Sequence, residues 1–401
     1  MGLAHLPKIV TDGLAFLYDT ADNKSYQGEP TTNLVTNPDF STGNLTGWSS
    51  TSTSHGDVDV SEVSSENGYN FFHKKVNKTG NGGQDRLVES STYNIDTSKR
   101  TTISIDFWTN PQNDYNIAFY GRGTTADDTT YDEKPLSNNG TTTSTVDLGD
   151  GWTRYIYTLQ TGWYTGSGNT FRVAVYPDYG GRGLMEYKVR KVQVEQKPHV
   201  TTFVNGTRSA TQGLLDRTKN STIDISNVSF DSNAQITFDG TDDYIALPSD
   251  IRSIFTSYPN CMECVLKKSS SDQGDMVAFD IDITRWNLNY NMYVSNQWSF
   301  DFYDGTEHVI AAGNYDDEYV HFVLQQLSNG TMQIYANGVL KGSASASNLA
   351  PNGSSIRIGS RSNGDSRYFN GDIPIMKIYN RALTAAEVAQ NFNAQRSRFE
   401  L

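Results

Sequence analysis

Cysteine is nearly absent from this chain: of its 401 residues only Cys261 and Cys264 carry a thiol. Positions three apart on a strand point to opposite faces, which makes a disulfide between them awkward. No second Cys-x-x-Cys and no His-x-His stands elsewhere to complete a four-ligand zinc site. Two buried, inert thiols in a core strand are expected, with no disulfide framework. Long apolar runs are also missing, and no stretch approaches the roughly 20 residues that a membrane span needs. The N-terminal MGLAHLPKIVTDG sets Pro7 and Lys8 where a secretory leader requires an unbroken apolar segment, so synthesis in a cytoplasm without an export signal is expected. Positive charge is scarce. Thirty-two Lys and Arg face 45 Asp and Glu, a net charge of −13 that would repel nucleic acid. No heptad repeat supports a coiled coil. Catalytic signatures are missing too: no Gly-x-Ser-x-Gly elbow, no His-Glu-x-x-His and no Gly-rich phosphate loop before a helix. The six histidines are scattered, and His321, inside an apolar strand, reads as a satisfied core or rim residue.

What the chain does have is aromatic and turn-forming. Twenty-three tyrosines, 18 phenylalanines and 34 glycines accompany abundant Ser, Thr and Asn, which is a β-rich composition with many turns. Period-two runs such as Thr101-Thr-Ile-Ser-Ile-Asp-Phe-Trp108, Trp152-Thr-Arg-Tyr-Ile-Tyr157 and Tyr319-Val-His-Phe-Val-Leu-Gln325 recur between Gly, Asn, Asp and Pro turns. Asn337-Gly338 is the best two-residue hairpin signal. Helix is confined to the end. There Thr384 and Glu387 form a capping-box pair, and Val388 and Phe392 share the face that would dock on a sheet. The length suggests two or three domains.

The terminal run RYFNGDIPIMKIYNRALTAAEVAQNF (367–392) resembles the end of concanavalin A-like sandwiches of the LamG or pentraxin type. These finish in a Gly turn, a strand ending Ile-Tyr-Asn-Arg-Ala-Leu, and a small helix; Ile378 to Leu383 match that phrase throughout. Gly13-Leu-Ala-Phe-Leu-Tyr-Asp19, followed by Ser25-Tyr26, resembles the opening strand of LamG-like proteins encoded by tailed phages. Its usual continuation resumes only after Gln212. The intervening Asn33-Leu-Val-Thr-Asn-Pro-Asp-Phe40 and Gly47-Trp48 resemble the start of carbohydrate-binding jelly rolls of the galactose-binding type, and about eight strands suit that span. Ser41 stands where that family has a Glu that ligates a structural calcium.

The expected fold is therefore all-β: two sandwiches, a jelly roll inserted into a LamG-like concanavalin A-type domain, with a short C-terminal helix. Residues 1–32 would supply the first LamG strand, 33–198 the jelly roll and 199–401 the remaining LamG domain, with Pro198 ending a strand. The strand Ile373–Tyr379 would then lie in one domain with residues 13–19.

Carbohydrate sites pair an aromatic platform with fork-like polar groups. In the jelly roll Trp163, Tyr164, Tyr179 and Trp108 are the candidates, with Tyr120 and Tyr176 beside them. In the second domain they are Arg361, Asp365 and Arg367, with Trp286, Tyr290 and Trp298. Alternation sends about half of the strand aromatics into a core. Asp239, Asp242 and Asp243 offer hard oxygen ligands suited to Ca²⁺, and Asp316, Asp317 and Glu318 form a second acidic group. Glucanases of the concanavalin A-like fold carry a Glu-x-Asp-x-x-Glu strand, which is missing here; Asp280-Ile-Asp282 places two carboxylates on one face without a glutamate. No enzyme is expected. The resemblance implies a tailed-phage virion structural protein, a capsid decoration, fibre or tail appendage, that is homo-oligomeric, contacts other virion proteins and binds host-surface glycans. A secreted bacterial adhesin, an accessory module of a glycan-degrading enzyme and a purely architectural virion protein are the competing readings.

Overall fold

The computed structural model describes residues 8–51, 56–78, 86–90, 92–111, 117–124, 131–136, 141–162, 170–177, 183–270, 274–281, 286–346, 355–362 and 367–401. The chain forms two compact units, one of Met1–Pro30 with Ser209–Leu401 and the other of Thr31–Arg208. Both are built almost wholly of antiparallel strands, and the main helix closes the chain.

In the first unit an eight-stranded sheet faces a six-stranded one. The closing strand Asn370–Tyr379 runs along Asn260–Lys268 on one side. On its other side it meets Ile236–Asp239 at its start and Leu14–Asp19 at its end, with Leu14 opposite Tyr379 and Asp19 opposite Ile375. The core between the sheets takes Phe16, Tyr18, Met262, Cys264, Phe322, Met376 and Ile378 from one side. From the other it takes Trp286, Leu288, Tyr290, Trp298, Phe300 and Phe302. Trp286, Tyr290 and Trp298 are therefore core residues rather than sugar platforms; each is fully buried, because these positions of their strands point between the sheets. Cys261 and Cys264 are both free and buried, and they fall in different apolar clusters on opposite faces of their strand.

The far face of the eight-stranded sheet carries a buried polar network under the C-terminal helix Ala385–Phe399. Glu263 Oε1 accepts from Lys377 Nζ at 2.5 Å and lies 2.9 Å from His321 Nε2, while Oε2 accepts from Asn391 Nδ2 at 2.6 Å. All four side chains are at most 1% exposed. Asn391 also ties down the N-terminal segment by accepting from the Val10 N–H at 2.7 Å. The helix opens with the full capping box, the Thr384 hydroxyl accepting from the Glu387 N–H and the Glu387 carboxylate from the Thr384 N–H. Val388 is buried against the sheet, and Phe392 packs over Gly338.

Gly371 shows how tightly the closing strand fits. It holds φ +142°, and a Cβ there would lie 2.1 Å from the Lys267 carbonyl oxygen, next to the bulge between Val265 and Lys267. Gly371→Ala is expected to cost at least about 1–3 kcal/mol from backbone strain and overpacking, measured as a lower midpoint in denaturant.

Among the described residues the second unit packs two six-stranded sheets, more strands than the roughly eight expected, around Phe40, Phe72, Ile103, Ile105, Phe107, Phe171, Tyr187 and Val189. Its opening motif is structural. The Asn33 side chain donates to the Val192 and Val204 carbonyls and accepts from the Val194 N–H. Gly47 leaves no room for a Cβ, which would meet Thr36 at 2.8 Å, and Trp48 Nε1 donates to the Thr36 carbonyl. Residues 199–208 run with this unit because Thr201 bonds Glu195 and because Thr207–Arg208 pairs with Thr31–Thr32. The unit thus closes on its own two ends. Its edge strand Thr142–Gly149 is exposed at all eight positions.

Candidate functional site

Alternation on four adjacent strands of the second unit builds an outward-facing aromatic row. In Thr101–Thr109 the buried set Ile103, Ile105 and Phe107 leaves Asp106 and Trp108 on the outer face. In Gly183–Glu195 the buried Met185, Tyr187 and Val189 leave Lys188 and Arg190 outside. Trp152 and Arg154 stand directly opposite Trp108 and Asp106 in the next strand, and Lys188 stands opposite Trp108 on the other side. Tyr69 and Phe71 come from Tyr69–Lys78, whose Phe72 points into the core.

Tyr69, Phe71, Trp108, Trp152, Lys188 and Arg190 line a groove of about 570 Å³, with Glu66, Asn67, Leu148 and Asp150 at its rim. The turn that joins Thr142–Gly149 to Trp152–Leu159 closes one end, with Asp150 and Gly151 both at positive φ. Gly151 is required there, since a Cβ would lie 2.8 Å from Trp108 Nε1. Cations interleave with the rings. Lys188 Nζ lies 4.9 Å from the Phe71 ring centre and 4.8 Å from that of Trp108. The Arg190 guanidinium carbon lies 4.7 Å from Tyr69 and 4.0 Å from Trp152. Each such contact is worth about 0.5–2 kcal/mol and fixes the rings in place. Beneath them Asp106 is bound in bidentate fashion by Arg154, at 2.6 and 3.1 Å. Beside them Glu186 pairs with His73 at 2.9 Å and accepts from Asn110 at 2.7 Å. Partial burial would raise the Glu186 carboxyl, but these two partners together hold it below its ordinary range. The groove can stack an apolar ring face and donate hydrogen bonds.

Of the residues singled out in the sequence, Trp108 lies in this groove. Trp163, Tyr164, Tyr179 and Asp365 lie outside the described residues. Arg361 and Arg367 belong to the other unit, where Arg367 approaches Asp275 at 3.9 Å. Sequence reading missed Trp152, Tyr69, Phe71, Lys188 and Arg190. Their strand parity was available as a signal, but the register that joins them was not.

Asp239, Asp242 and Asp243 do come together, their carboxylates within 4.8 Å of one another. The donor set is hard oxygen, as Ca²⁺ prefers. Yet Asp243 accepts from the Ser229 hydroxyl and the Asp239 N–H, and Asp239 accepts from the Thr241 N–H, so these oxygens already hold the turn. Burial raises the Asp243 carboxyl, which weakens it as a ligand at low pH. In the second acidic group Asp316 is paired with Lys268 at 2.9 Å and Asp317 with Lys267 at 3.1 Å. Asp280 is buried and accepts from the Ser362 N–H and hydroxyl, so it braces a turn. At Ser41, the hydroxyl and the neighbouring Asp39 both accept from the Asn205 amide.

A family model described as the concanavalin A-like lectin/glucanases superfamily matches residues 239–389. This part of the chain is a concanavalin A-like domain. No curated protein matches the chain. Among solved structures, the receptor-binding domain of botulinum neurotoxin D is 14% identical with a TM-score of 0.37, and the match covers 47% of this chain and 51% of that one. The chain thus spans about half the length of the toxin domain. Domain 4 of AbnA, an extracellular arabinanase of Geobacillus stearothermophilus solved with arabinotriose, is 17% identical with a TM-score of 0.31, covering 46% and 92%. A heptameric SAP-like pentraxin of Limulus polyphemus is 13% identical with a TM-score of 0.27, covering 33% and 68%.

Proposed function

We propose that this protein is a non-enzymatic glycan-binding protein of a tailed-phage virion, a capsid decoration, fibre or tail appendage that attaches to host-surface glycans. The observation that carries the glycan reading is the groove: four aromatic rings on one sheet face with hydrogen-bond donors fixed between them. Pyranose faces stack on such rings. The virion reading rests on the likeness of the opening strand Gly13–Asp19 to that of LamG-like proteins encoded by tailed phages. Assembly as a homo-oligomer with other virion proteins belongs to the same reading.

A glycan array tests the first part. Trp108→Ala is expected to lower affinity for any bound glycan by about 1–3 kcal/mol, or roughly 5- to 150-fold, as loss of a stacking ring does. Unchanged binding by the folded variant would move the site elsewhere. Mass spectrometry of purified particles tests the second part. A purely architectural role is favoured by one observation, the fully exposed edge strand Thr142–Gly149, which offers unpaired backbone to a neighbouring chain. A well-folded protein that binds no array member would leave that role standing.

A further inference from the structure

We infer that the groove selects an anionic saccharide, because its two central cations are each clamped between aromatic rings and neither has a short carboxylate partner. The inference rests on the glycan-binding reading and narrows it.

The charge pairing on this face is uneven. Asp106 is the buried carboxylate of the row, and Arg154 takes both of its oxygens at hydrogen-bond distance. Arg190 Nε is left 3.7 Å from Asp106 Oδ2, too far for a hydrogen bond, and is buried without one. Lys188 is likewise 3.7 Å from Glu66, whose side chain is 63% exposed and screened by water. Two arginines therefore share one carboxylate, and a lysine next to them has a loose partner. This occurs on a chain whose overall charge is −13.

The rings explain why the cations do not swing away to find better partners. Lys188 is fixed by Phe71 and Trp108, and Arg190 by Tyr69 and Trp152. Both groups only donate hydrogen bonds. A neutral sugar entering the groove would strip water from them and return only hydroxyl acceptors. A carboxylate or sulfate on the sugar would return a charge-assisted bond, roughly twice as strong as a neutral one. The same rings can take the apolar face of the pyranose that carries the acidic group.

The test uses the full chain in titration calorimetry at low salt, with matched probes. These are an oligogalacturonate and its methyl ester, sialyllactose and lactose, and a sulfated and an unsulfated galactan fragment. At least one acidic member should bind about tenfold or more tightly than its neutral match, and the advantage should shrink as salt rises. The double variant Lys188→Gln/Arg190→Gln should erase that ratio, while Arg190→Lys, which keeps the charge, should retain part of it. Thermal unfolding confirms that each variant is folded. Equal binding of acidic and neutral members would overturn the inference and leave the glycan reading intact. Binding of none would overturn both, and a ratio that survives the double variant would overturn the assignment to this groove. Comparing the carboxylate and sulfate pairs then identifies which anion the groove takes.

Discussion

Replacing Glu263 with glutamine is expected to destabilise the concanavalin A-like unit by about 3–5 kcal/mol, the range for breaking one partner of a buried ion pair. Three donors, on Lys377, His321 and Asn391, converge on two carboxylate oxygens. Glutamine keeps one oxygen and turns an NH₂ toward one of those donors, so a buried charge loses its partner and two donor groups face each other. The double variant Glu263→Met/Lys377→Met should recover much of the loss, since an apolar pair of similar volume removes both charges together. Chemical denaturation of the three proteins measures this; equal midpoints for wild type and Glu263→Gln would show that the network contributes nothing to stability.

The same carboxylate sets the acid limb. Burial would raise Glu263, but the charge of Lys377 and the contact with His321 outweigh it and hold the group at about 2, from an ordinary 4.5. A depressed folded-state pKa contributes stability that is fully present above the unfolded value and is lost as pH falls through the folded one. Stability should therefore decline between about pH 4.5 and pH 2, and Glu263→Gln should make that decline shallower. It will not vanish, because Glu387, hydrogen-bonded by Arg381, is also held at about 2 and titrates in the same window.

Removing residues 1–19 is expected to be more severe. Phe16 and Tyr18 are at most 1% exposed in the main core, and the Tyr18 hydroxyl donates to the Ile373 carbonyl. Truncating large aromatics costs about 3–5 kcal/mol each, and the pair approaches the whole 5–15 kcal/mol stability of a typical domain. One side of Asn370–Tyr379 would also be left unpaired from Ile375 to Tyr379, its other side staying on Asn260–Lys268. Calorimetry should show the transition of the concanavalin A-like unit lost and that of the Thr31–Arg208 unit kept. Two unchanged transitions would mean that the opening strand is dispensable.

How much of this was legible beforehand varies from residue to residue. Local chemistry was readable wherever the partners are close in sequence. Thr384 and Glu387 form their box, and Asn337-Gly338 makes a two-residue hairpin with both residues at positive φ. Alternation located strands but not which face is dry. Trp286, Tyr290 and Trp298 were candidates for sugar stacking, yet they fill the core, and even Asn287 and Asn289 on the opposite parity are buried. Bulges between Val277 and Phe279 and between Arg190 and Gln193 shift parity along a strand, which no period-two count anticipates. The groove was legible only at Trp108. Its other rings and cations come from residues 69–71, 152 and 188–190, and only cross-strand register brings them together.

The pairing of Thr31–Thr32 with Thr207–Arg208 brings the entry and exit of a 178-residue segment (31 to 208 inclusive) to neighbouring positions on one ladder, where Cα atoms stand about 5 Å apart. Such a segment behaves as a cassette. Joining Pro30 to Ser209 through a short Gly linker should leave a chain whose remaining strands keep their partners, since Tyr26 already bridges Leu214 and the Gln27 N–H donates to the Gly213 carbonyl. Recombination at these two points could exchange one recognition surface for another in a single event, with the rest of the sequence inherited unchanged.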